Sequence, residues 1–554
     1  MNPLNLAQVP IPEPSPEYMS AVAVAIAIFL IISTGIGFYM MRKAKSFDEW
    51  MVGHRDIGPL VTGFALVASW LSGWAIYGNA GYGYAFGWSA WALIGTHNIF
   101  GIALCIVLGY RMRRYAALGA RTVPEVIGLR FESKVAQSVA GVAMLLLLIV
   151  YSVGQFKAMA TVWSATTGTP WLGSVLVTAI LVFVYMAVGG YAGTHYALAF
   201  QGFLLTVVSW CLGIAAVAII GPDAITSKLA TEKATIISAG RVITTPLTLG
   251  GNLVPLSPTV PFYDWLGATG AIFMFLFMAT GFPHNISRFL GVRKVEKREL
   301  WLMALIVVIG STSPLWIGLI GCAARVLWGA QLIDLKYAPM FQDAAAIKFA
   351  MYLGPGAAAF LAAGVFAAAV STLAAMVMIM ATNITRDLIH IYKPQIPPQK
   401  MLWATRALLL PVIFIPFYWN VTSPPPILVE LMAASAVCQA GIFFTTVAVS
   451  MYWKRATKWG VVVSTIYGMI IGTAFHPANV VKWVPMDVVT AWGLNHWGKW
   501  ALTTIGGCLI LYFLVSLATK PLPPEKLERF FPSRAPPAPA APTAPTAQPA
   551  PKSA

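Results

Sequence analysis

Apolar segments long enough to cross a lipid bilayer recur along the whole chain. A helix rises about 1.5 Å per residue, so roughly 20 apolar residues span a hydrocarbon core about 30 Å thick. Backbone polar groups in lipid must be satisfied within the segment, and this forces such runs to be helical. The sequence therefore predicts an all-α polytopic membrane protein with 13 transmembrane helices, at residues 19–41, 59–86, 88–109, 136–165, 170–190, 196–220, 265–291, 301–328, 346–385, 402–420, 426–452, 458–476 and 499–519.

The composition excludes several other classes of protein. Only 10% of the 554 residues are charged and 58% are hydrophobic, whereas about 25% of the residues in a soluble domain are charged. So few charges cannot solvate the surface of a soluble enzyme or a nucleic-acid-binding domain of this size. The net charge of +17 comes from short Lys and Arg clusters between the apolar runs. We therefore expect the partners to be the lipid bilayer and a small-molecule solute, with no nucleic acid and with partner proteins unidentified.

The basic clusters also predict an orientation. Every dense cluster follows an odd-numbered run, and positive residues favour the cytoplasmic side. We therefore expect a multi-pass protein of the inner (cytoplasmic) membrane with its N-terminus outside and its C-terminus in the cytoplasm. The predicted organisation is an extracytoplasmic N-terminus (1–18), a 13-helix domain (19–519) with a long external loop at about 221–264, and a Pro/Ala-rich, disordered cytoplasmic tail (520–554).

Ionisable residues within the predicted spans are few, so each one is informative. No acid lies near the middle of a span, and Asp343 is at an outer end. Lys157 lies well inside the fourth run, where its side chain either extends to the outer headgroups or attracts an anionic substrate. His97, beside Asn98 in the third run, either makes a helix-packing hydrogen bond or lines a cavity as a protonatable group.

Two runs have unusual patterns of small residues. The second run, together with Gly87 directly after it, contains six glycines between positions 63 and 87, which indicates either close helix packing or an interrupted helix whose free backbone groups bind an ion and a substrate. The ninth run contains the adjacent pair Ser371 and Thr372 within a stretch of alanines. Two hydroxyls with several backbone carbonyls would suit Na⁺ without a net protein charge.

Four short motifs resemble the sodium:solute symporter family, and they occur in order along roughly residues 20–520. Ser69-Trp-Leu-Ser-Gly-Trp74 resembles a stretch of the proline permeases. Thr122-Val-Pro-Glu125 is similar to a family segment after the third span. Gly281-Phe-Pro-His284 is similar to the acetate permeases. Ala368-Ala-Val-Ser371-Thr372 resembles the sodium-site helix of the family.

The resemblance implies a leucine-transporter-like 5+5 inverted repeat, with spans two to six and seven to eleven as the halves and with spans two and seven discontinuous. Trp70 departs from the pattern, because the proline and acetate permeases have Asp there, and this substitution leaves H⁺ coupling through His97 open. The sodium-site residues implied by position are Ala68, Leu71, Ala368, Ser371 and Thr372. The candidate substrate-binding residues are Trp70, Gly73, Trp74, His97, Asn98, Gln155 and Lys157.

The expected function is secondary active symport of a small organic solute, with Na⁺ as the coupling ion and no other cofactor. The Gly281–His284 motif and Lys157 favour a short monocarboxylate such as acetate, lactate or pyruvate. The alternatives are a proline-like amino acid as the substrate and H⁺ as the coupling ion. A transporter-like sensor is disfavoured because no folded domain follows the last span. An enzyme is disfavoured because no nucleophile–base pair, metal-ligand cluster or phosphate loop is visible.

Overall fold

The computed structural model describes residues 9–42, 57–189, 191–238, 241–250, 265–292, 296–425, 428–477 and 483–531. The helices and strands in these ranges are α1 Pro16–Met41, α2 Pro59–Trp70, α3 Asn79–Ala117, α4 Val123–Phe131, α5 Lys134–Thr167, α6 Trp171–Gly189, α7 Tyr191–Ile220, α8 Pro222–Thr231, β1 Lys233–Ser238, β2 Arg241–Thr248, α9 Trp265–Gly281, α10 Pro283–Ile286, α11 Lys297–Gly310, α12 Ser313–Trp328, α13 Ala345–Leu353, α14 Pro355–Thr382, α15 Pro398–Thr422, α16 Leu428–Phe443, α17 Lys458–Met469, α18 Met486–Ala491, α19 Trp497–Ala518 and α20 Pro524–Leu527. Turns of π-helix occur at Trp74–Gly78, Asn383–His390, Phe444–Ala448 and Ile470–Ala474.

Each of the predicted apolar runs coincides with helix over most of its length. Within the described ranges, 9 helices are long and apolar enough to cross a membrane, and there are 10 crossings if the bent pair Pro59–Trp70 and Trp74–Trp88 counts as one. The all-α membrane fold is therefore confirmed, while 13 crossings stay a prediction. The ninth predicted run contains the short helix α13 followed by the longer helix α14.

The second span is interrupted, which is one of the two structures that its glycine pattern indicates and the one that the family resemblance implies. Helix α2 ends at Trp70 and the chain resumes as π-helix at Trp74, with a bend of 57° between the two segments. Gly73 allows this bend to pack closely against α5, because a Cβ atom there would lie 2.7 Å from the Ala158 Cβ. Farther along, Gly87 has φ +62° inside α3, a backbone conformation that favours glycine, and it separates the second span from the third. The small residues thus serve both close packing and interruption.

The seventh span is broken as well. Helix α9 ends at Gly281, Phe282 has extended backbone (φ −80°, ψ 111°), and α10 begins at Pro283. Proline suits the first turn of a helix because the amide that it lacks has no intrahelical acceptor there. The two broken spans meet, since the rings of Trp70 and Phe282 are 5.9 Å apart. The centre of the bundle is therefore formed by two helix interruptions.

The two ends of the bundle differ in charge. The end formed by residues 111–134, 383–393, 449–458 and 516–531 is called the basic face here. It is held together by arginines that donate to helix-end carbonyls, such as Arg130 to Ser450 O (3.2 Å) and Arg455 to Ser516 O (2.6 Å). These bonds satisfy carbonyls that have no partner within their own helices. Which face is cytoplasmic stays a prediction.

The opposite face carries a region that the sequence suggested was a loop. Residues 222–238 and 241–250 instead contain α8 and the antiparallel strand pair β1–β2, in which Thr235 pairs with Thr244. Arg325 of α12 attaches the strand pair by donating to Lys233 O at 2.8 Å and pairing with Glu232 at 3.3 Å. The remainder of the predicted loop, 251–264, lies outside the described residues.

The beginning of the predicted disordered tail is packed against the basic face. Lys526 and Arg529 form ion pairs with Glu132 at 2.5 and 2.7 Å, and Phe530 stacks on Tyr115 with ring centroids 5.2 Å apart. The expectation of disorder from residue 520 is therefore wrong for residues 524–531. Residues 532–554 lie outside the described residues.

The ionic part of this attachment persists over a wide pH range. The hydrogen bond from Lys526, together with the nearby positive charges, holds the pKa of Glu132 below its usual range. A carboxylate with a lowered pKa in the folded state contributes stability above its ordinary pKa of about 4.3, and that contribution is lost only as the pH falls through the lowered value. We therefore expect these pairs to be intact at pH 5 and at neutral pH.

We expect Phe530→Ala to release the segment 524–531 and Glu132→Gln to loosen it only slightly. Phe530 is 2% exposed, and truncation of a buried Phe costs about 3 kcal/mol or more, whereas exposed ion pairs contribute about 0–1 kcal/mol each. Hydrogen exchange of the 524–531 amides measures both effects. Equal protection in the Phe530→Ala variant and the wild type would contradict the assigned contacts.

Candidate functional site

The interruption of the second span exposes backbone carbonyls next to α14. Because α2 ends at Trp70, the carbonyls of its last turn lack the amide partners of a continuous helix. The carbonyl of Ala68 instead accepts hydrogen bonds from Ser371 Oγ at 3.2 Å and from Thr372 Oγ1 at 3.3 Å. Ser371 Oγ also donates to the carbonyl of Ala368 at 2.8 Å. The structure thus brings together four of the five predicted sodium-site residues.

The fifth residue, Leu71, lies at the interruption itself. Its amide donates to Val67 O at 2.8 Å, and its extended backbone (φ −89°, ψ 92°) places the carbonyl of Leu71 outside the helix. The resulting cluster consists of neutral hydroxyl and carbonyl oxygens, which are the ligands of hard cations. Ser371 and Thr372 are fully buried. This set of oxygen ligands, called the carbonyl–hydroxyl cluster here, fits a monovalent cation.

Trp70 packs between the two helix interruptions. Its side chain is 4% exposed, its ring lies near that of Phe282, and its indole Nε1 has no hydrogen-bond partner in the part of the chain that the structure describes. A large apolar group therefore stands next to the carbonyl–hydroxyl cluster, where the resembled permeases have a carboxylate. The cluster has only neutral oxygens in consequence.

We expect Trp70→Asp to lower the Na⁺ concentration for half-maximal transport about tenfold. A carboxylate beside the cluster adds a charged ligand, and a hydrogen bond or contact to a charged group contributes roughly 1.5–3 kcal/mol, where about 1.4 kcal/mol is tenfold. Trp70→Phe is the matched control, since it keeps an aromatic ring against Phe282. A folded Trp70→Asp protein with unchanged Na⁺ dependence would show that Trp70 only fills space.

Polar groups from α5 close the interruption of the second span. The amide of Gly73 donates to Gln155 Oε1 at 2.9 Å, and Ser72 Oγ is 3.2 Å from the Tyr151 hydroxyl. Backbone that leaves a helix in the membrane must find partners of this kind or line a cavity. Gly73 and Gln155, two of the predicted substrate residues, are therefore in direct contact.

Aromatic rings form an apolar wall beside these polar groups. Trp74 stacks on Phe275 of α9 with ring centroids 5.6 Å apart and an interplanar angle of 8°. Tyr151 lies edge-on to Phe282 at 5.4 Å and contacts the ring of His284 at 5.8 Å. An apolar wall with a few fixed polar groups is typical of small-molecule sites. The sequence alone did not single out Tyr151, Ser72 or Phe275. Tyr151, a polar ring four residues and so about one helical turn before Gln155, was the available signal.

Lys157 is paired with an acid, contrary to the expectation from the sequence. Its Nζ lies 2.6 Å from Asp343 Oδ2, and the two side chains are 0% and 2% exposed. Asp343 belongs to a turn of 3-10 helix, Phe341–Ala344, that precedes α13. Asp343 therefore reaches the depth of Lys157, although no acid was expected there. The interpretation that Lys157 extends to the outer headgroups is wrong as well. Its role in substrate binding stays a prediction.

His97 and Asn98 lie within helix α3, but their side chains lie outside the described part of the structure. Their predicted roles stay predictions.

A hydrogen bond joins the two broken spans. It connects the half of each span that lies nearer the basic face. Arg288 Nε donates to Ser69 Oγ at 3.1 Å, and both side chains are buried. Ser69 directly follows Ala68, so this contact fixes the chain next to the carbonyl–hydroxyl cluster. A movement of either broken span would therefore be transmitted to the other.

Comparison with curated proteins reveals distant relatives over most of the chain. The osmoregulated proline transporter OpuE of Bacillus subtilis is 24% identical over 485 residues, which cover 84% of this chain and 90% of that protein. A sodium/proline symporter of Staphylococcus aureus is 23% identical over 458 residues, covering 80% of this chain and 83% of that protein.

The fold matches a solved transporter structure. The substrate-bound, outward-open structure of a Na⁺-coupled sialic acid symporter aligns with a TM-score of 0.69 at 15% identity, covering 90% of this chain and 98% of that one. This similarity confirms the predicted leucine-transporter-like fold class. Residues 50–472 match the sodium:solute symporter family. Because this match extends over most of the chain, the protein belongs to the sodium:solute symporter family.

Proposed function

We propose that the protein imports a small zwitterionic amino acid, of which proline is the leading example, together with Na⁺. The observation that carries the Na⁺ coupling is the carbonyl–hydroxyl cluster, in which Ser371 and Thr372 meet Ala68 O at the interrupted end of α2. Na⁺ is the coupling ion, and the proposal requires no other cofactor. In the proposed orientation the basic face is cytoplasmic and the N-terminus is outside.

The amino-acid substrate is favoured over a monocarboxylate by the charges in the bundle. The argument for an anionic substrate was an unbalanced Lys157, but this residue is neutralised by Asp343. A zwitterion carries both charges itself, so its binding does not require an unpaired basic side chain. The curated relatives are themselves proline transporters.

In the proposed mechanism the two interruptions do the binding. Na⁺ joins Ala68, Leu71 and Ala368 through their carbonyls to the hydroxyls of α14, and this stabilises α2 against α14. The substrate lies on the other side of the interruption, between the backbone near Gly73 and the ring of Trp74. Both ligands therefore stabilise one arrangement of the same broken helix, and this shared arrangement couples their affinities.

A short monocarboxylate is the second candidate, and the motif Gly281-Phe-Pro-His284 supports it. The motif forms the interruption of the seventh span, and the His284 ring contacts Phe282 at 4.9 Å. The resemblance to acetate permeases is thus located next to the proposed substrate position.

Uptake by proteoliposomes with separately imposed gradients tests the proposal. Labelled proline, acetate, lactate and pyruvate are supplied with an inward Na⁺ gradient at equal pH, and with an inward H⁺ gradient without Na⁺. We expect Na⁺-driven accumulation of proline. Accumulation of only a monocarboxylate would establish the second candidate, and accumulation driven only by the H⁺ gradient would refute Na⁺ coupling.

A further inference from the structure

A second group of buried oxygens lies farther along the same transmembrane segment, near the basic face. Asp387 is fully buried in the π-helical segment Asn383–His390. Its Oδ1 accepts hydrogen bonds from Thr122 Oγ1 and Gln137 Nε2, both at 2.8 Å. Its Oδ2 is buried and accepts no hydrogen bond from the described residues. Half of a buried carboxylate is therefore left without a donor.

Asn383 provides another buried oxygen on the same side of the segment. Its Nδ2 donates to Gly141 O at 2.6 Å, while its Oδ1 has no donor within the ranges that the structure describes. A Cβ atom on Gly141 would lie 2.8 Å from Asn383 Oδ1 and 3.4 Å from the Asp387 Cβ. The amide oxygen of Asn383 and the Cβ of Asp387 thus pack against the same glycine of α5.

The local backbone geometry brings these two side chains onto one side. The segment Asn383–His390 is π-helical, with more residues per turn than an α-helix. Such widened turns cost backbone energy and occur frequently at functional sites. The glycine at position 141 lets Asn383 pack closely against α5, because a Cβ atom there would lie only 2.8 Å from the Asn383 Oδ1.

The nearby charges leave Asp387 uncompensated. Arg386, its neighbour in sequence, pairs with Glu125 at 2.8 Å. The other charged or titratable groups on the facing elements (Arg121, Glu132, Lys134 and His390) line an adjacent cavity, while the contacts to Asp387 itself come from the neutral Thr122 and Gln137. A buried carboxylate without a charged partner is costly unless a cation or a proton neutralises it.

A cavity lies beside this group of oxygens and is separated from Asp387 by Gln137. It has a volume of about 560 Å³ on the basic face and is lined by Gln137, Glu125 and Arg386, among others. Gln137 also donates to Asp387, so the cavity wall and the carboxylate share a residue. A cation therefore reaches Asp387 from this cavity only when the Gln137 side chain moves aside.

We propose that Asp387 and Asn383 bind a second monovalent cation, Na⁺, between α14 and α5. The Asp387 carboxylate and the Asn383 amide oxygen are the ligands, water from the cavity completes the shell, and one negative charge matches one monovalent ion. This inference goes beyond the proposed function, on which it rests only for the identity of the ion. The site lies on the same segment as Ser371 and Thr372, closer to the basic face.

Direct Na⁺ binding to the purified full-length protein tests the site without measuring transport. We expect two ²²Na⁺ ions per chain for the wild type, one for Asp387→Asn, and one for Ser371→Ala/Thr372→Ala. Two ions bound to Asp387→Asn, or one ion bound to the wild type and to Asp387→Asn alike, would overturn the proposal. An unchanged count in the Ser371/Thr372 variant would instead contradict the carbonyl–hydroxyl cluster, so the two failures are distinguishable.

A second variant keeps the test valid if Asp387→Asn does not fold. Asn383→Ala removes the amide oxygen and should weaken Na⁺ binding at the second site about tenfold. Asn420→Ala is the matched control. Asn420 is also buried and donates to Val153 O at 2.8 Å, and its Oδ1 has no donor among the described residues. It belongs to α15 and is therefore not part of the proposed site. Equal Na⁺ affinity in the Asn383 and Asn420 variants would overturn the site.

A pH series at saturating Na⁺ separates the cation from a proton. If the Na⁺ count of the wild type stays at two between pH 6 and pH 8.5 and Asp387→Asn lowers it to one, the cation is established. If Asp387→Asn leaves the Na⁺ count unchanged and alters only the pH dependence of uptake, Asp387 holds a proton and the proposal is refuted.

Discussion

The double substitution Ser371→Ala/Thr372→Ala is expected to raise the Na⁺ concentration for half-maximal uptake about 100-fold. Both hydroxyls contact the carbonyl of Ala68, and both are fully buried. Alanine has no side-chain oxygen that could replace these hydroxyls, and an apolar side chain does not hold a water molecule in their place. A contact with an ion contributes roughly 1.5–3 kcal/mol, so the loss of two ligands at the lower end corresponds to about two factors of ten.

The measurement is the Na⁺ dependence of substrate uptake at matched protein amounts in proteoliposomes. Ser464→Ala/Thr465→Ala is the matched control, because this second adjacent Ser–Thr pair is equally buried on α17, where Ser464 Oγ donates to Cys508 O at 2.9 Å. The control should leave the Na⁺ dependence unchanged. An equal shift in both variants would show that the Ser371/Thr372 effect is a general loss of packing.

The sequence was sufficient for features that depend on local composition. Apolar runs predict helices because lipid leaves the backbone no other partners, and the glycines of the second span indicate either close packing or an interruption, both of which occur. The pair Ser371–Thr372 is recognisable because two hydroxyls stand out in a stretch of alanine. Each of these features is contained within about one turn to one span of contiguous chain.

Features that depend on pairing between distant elements were not predictable. Lys157 and Asp343 are separated by 186 positions, and nothing in either segment indicates that Asp343 reaches the depth of Lys157. The contact between Gly73 and Gln155 likewise depends on how two helices are rotated against each other. Asp387 is fully buried for the same reason, since Thr122 and Gln137 from other segments donate to its carboxylate.

Two local signals were present but were outweighed by composition. Residues 233–248 are rich in Thr, Ile and Val, which favour strands, and they contain the strand pair. Phe530 and Phe531 precede the Pro/Ala repeats and are apolar enough to anchor the beginning of the tail. Disorder was inferred from the average of a segment whose first part differs from the rest.

Lys157→Met is expected to destabilise the folded protein by about 3–5 kcal/mol. The substitution leaves Asp343, 2% exposed, as a buried carboxylate without its charged partner, and breaking one side of a buried pair has this cost. Replacement of both partners by neutral groups is far less costly, so Lys157→Met/Asp343→Asn should recover most of the stability. Thermal unfolding of the purified variants measures the difference.

Lys348→Met is the control for the loss of a buried lysine. Lys348 is also 2% exposed, on the neighbouring helix α13, and donates to the carbonyl of Pro12 at 2.6 Å. Its removal leaves a carbonyl without a donor and not a buried charge, so we expect a smaller loss of about 1–3 kcal/mol. Equal losses for Lys157→Met and Lys348→Met would contradict the importance of the ion pair.

The neutral double variant also separates a structural role of Lys157 from a role in substrate binding. If Lys157 contacts the substrate carboxylate during transport, the double variant folds but requires about 10- to 100-fold more substrate for half-maximal uptake, because a charge-assisted hydrogen bond of roughly 1.5–3 kcal/mol is lost. If the pair only joins α5 to the segment before α13, recovery of stability restores the half-saturation value as well. Substrate titration of the double variant at matched protein amounts therefore decides whether Lys157 belongs to the substrate site. The double variant recovers most of its stability, so a change in its half-saturation value does not come from unfolding.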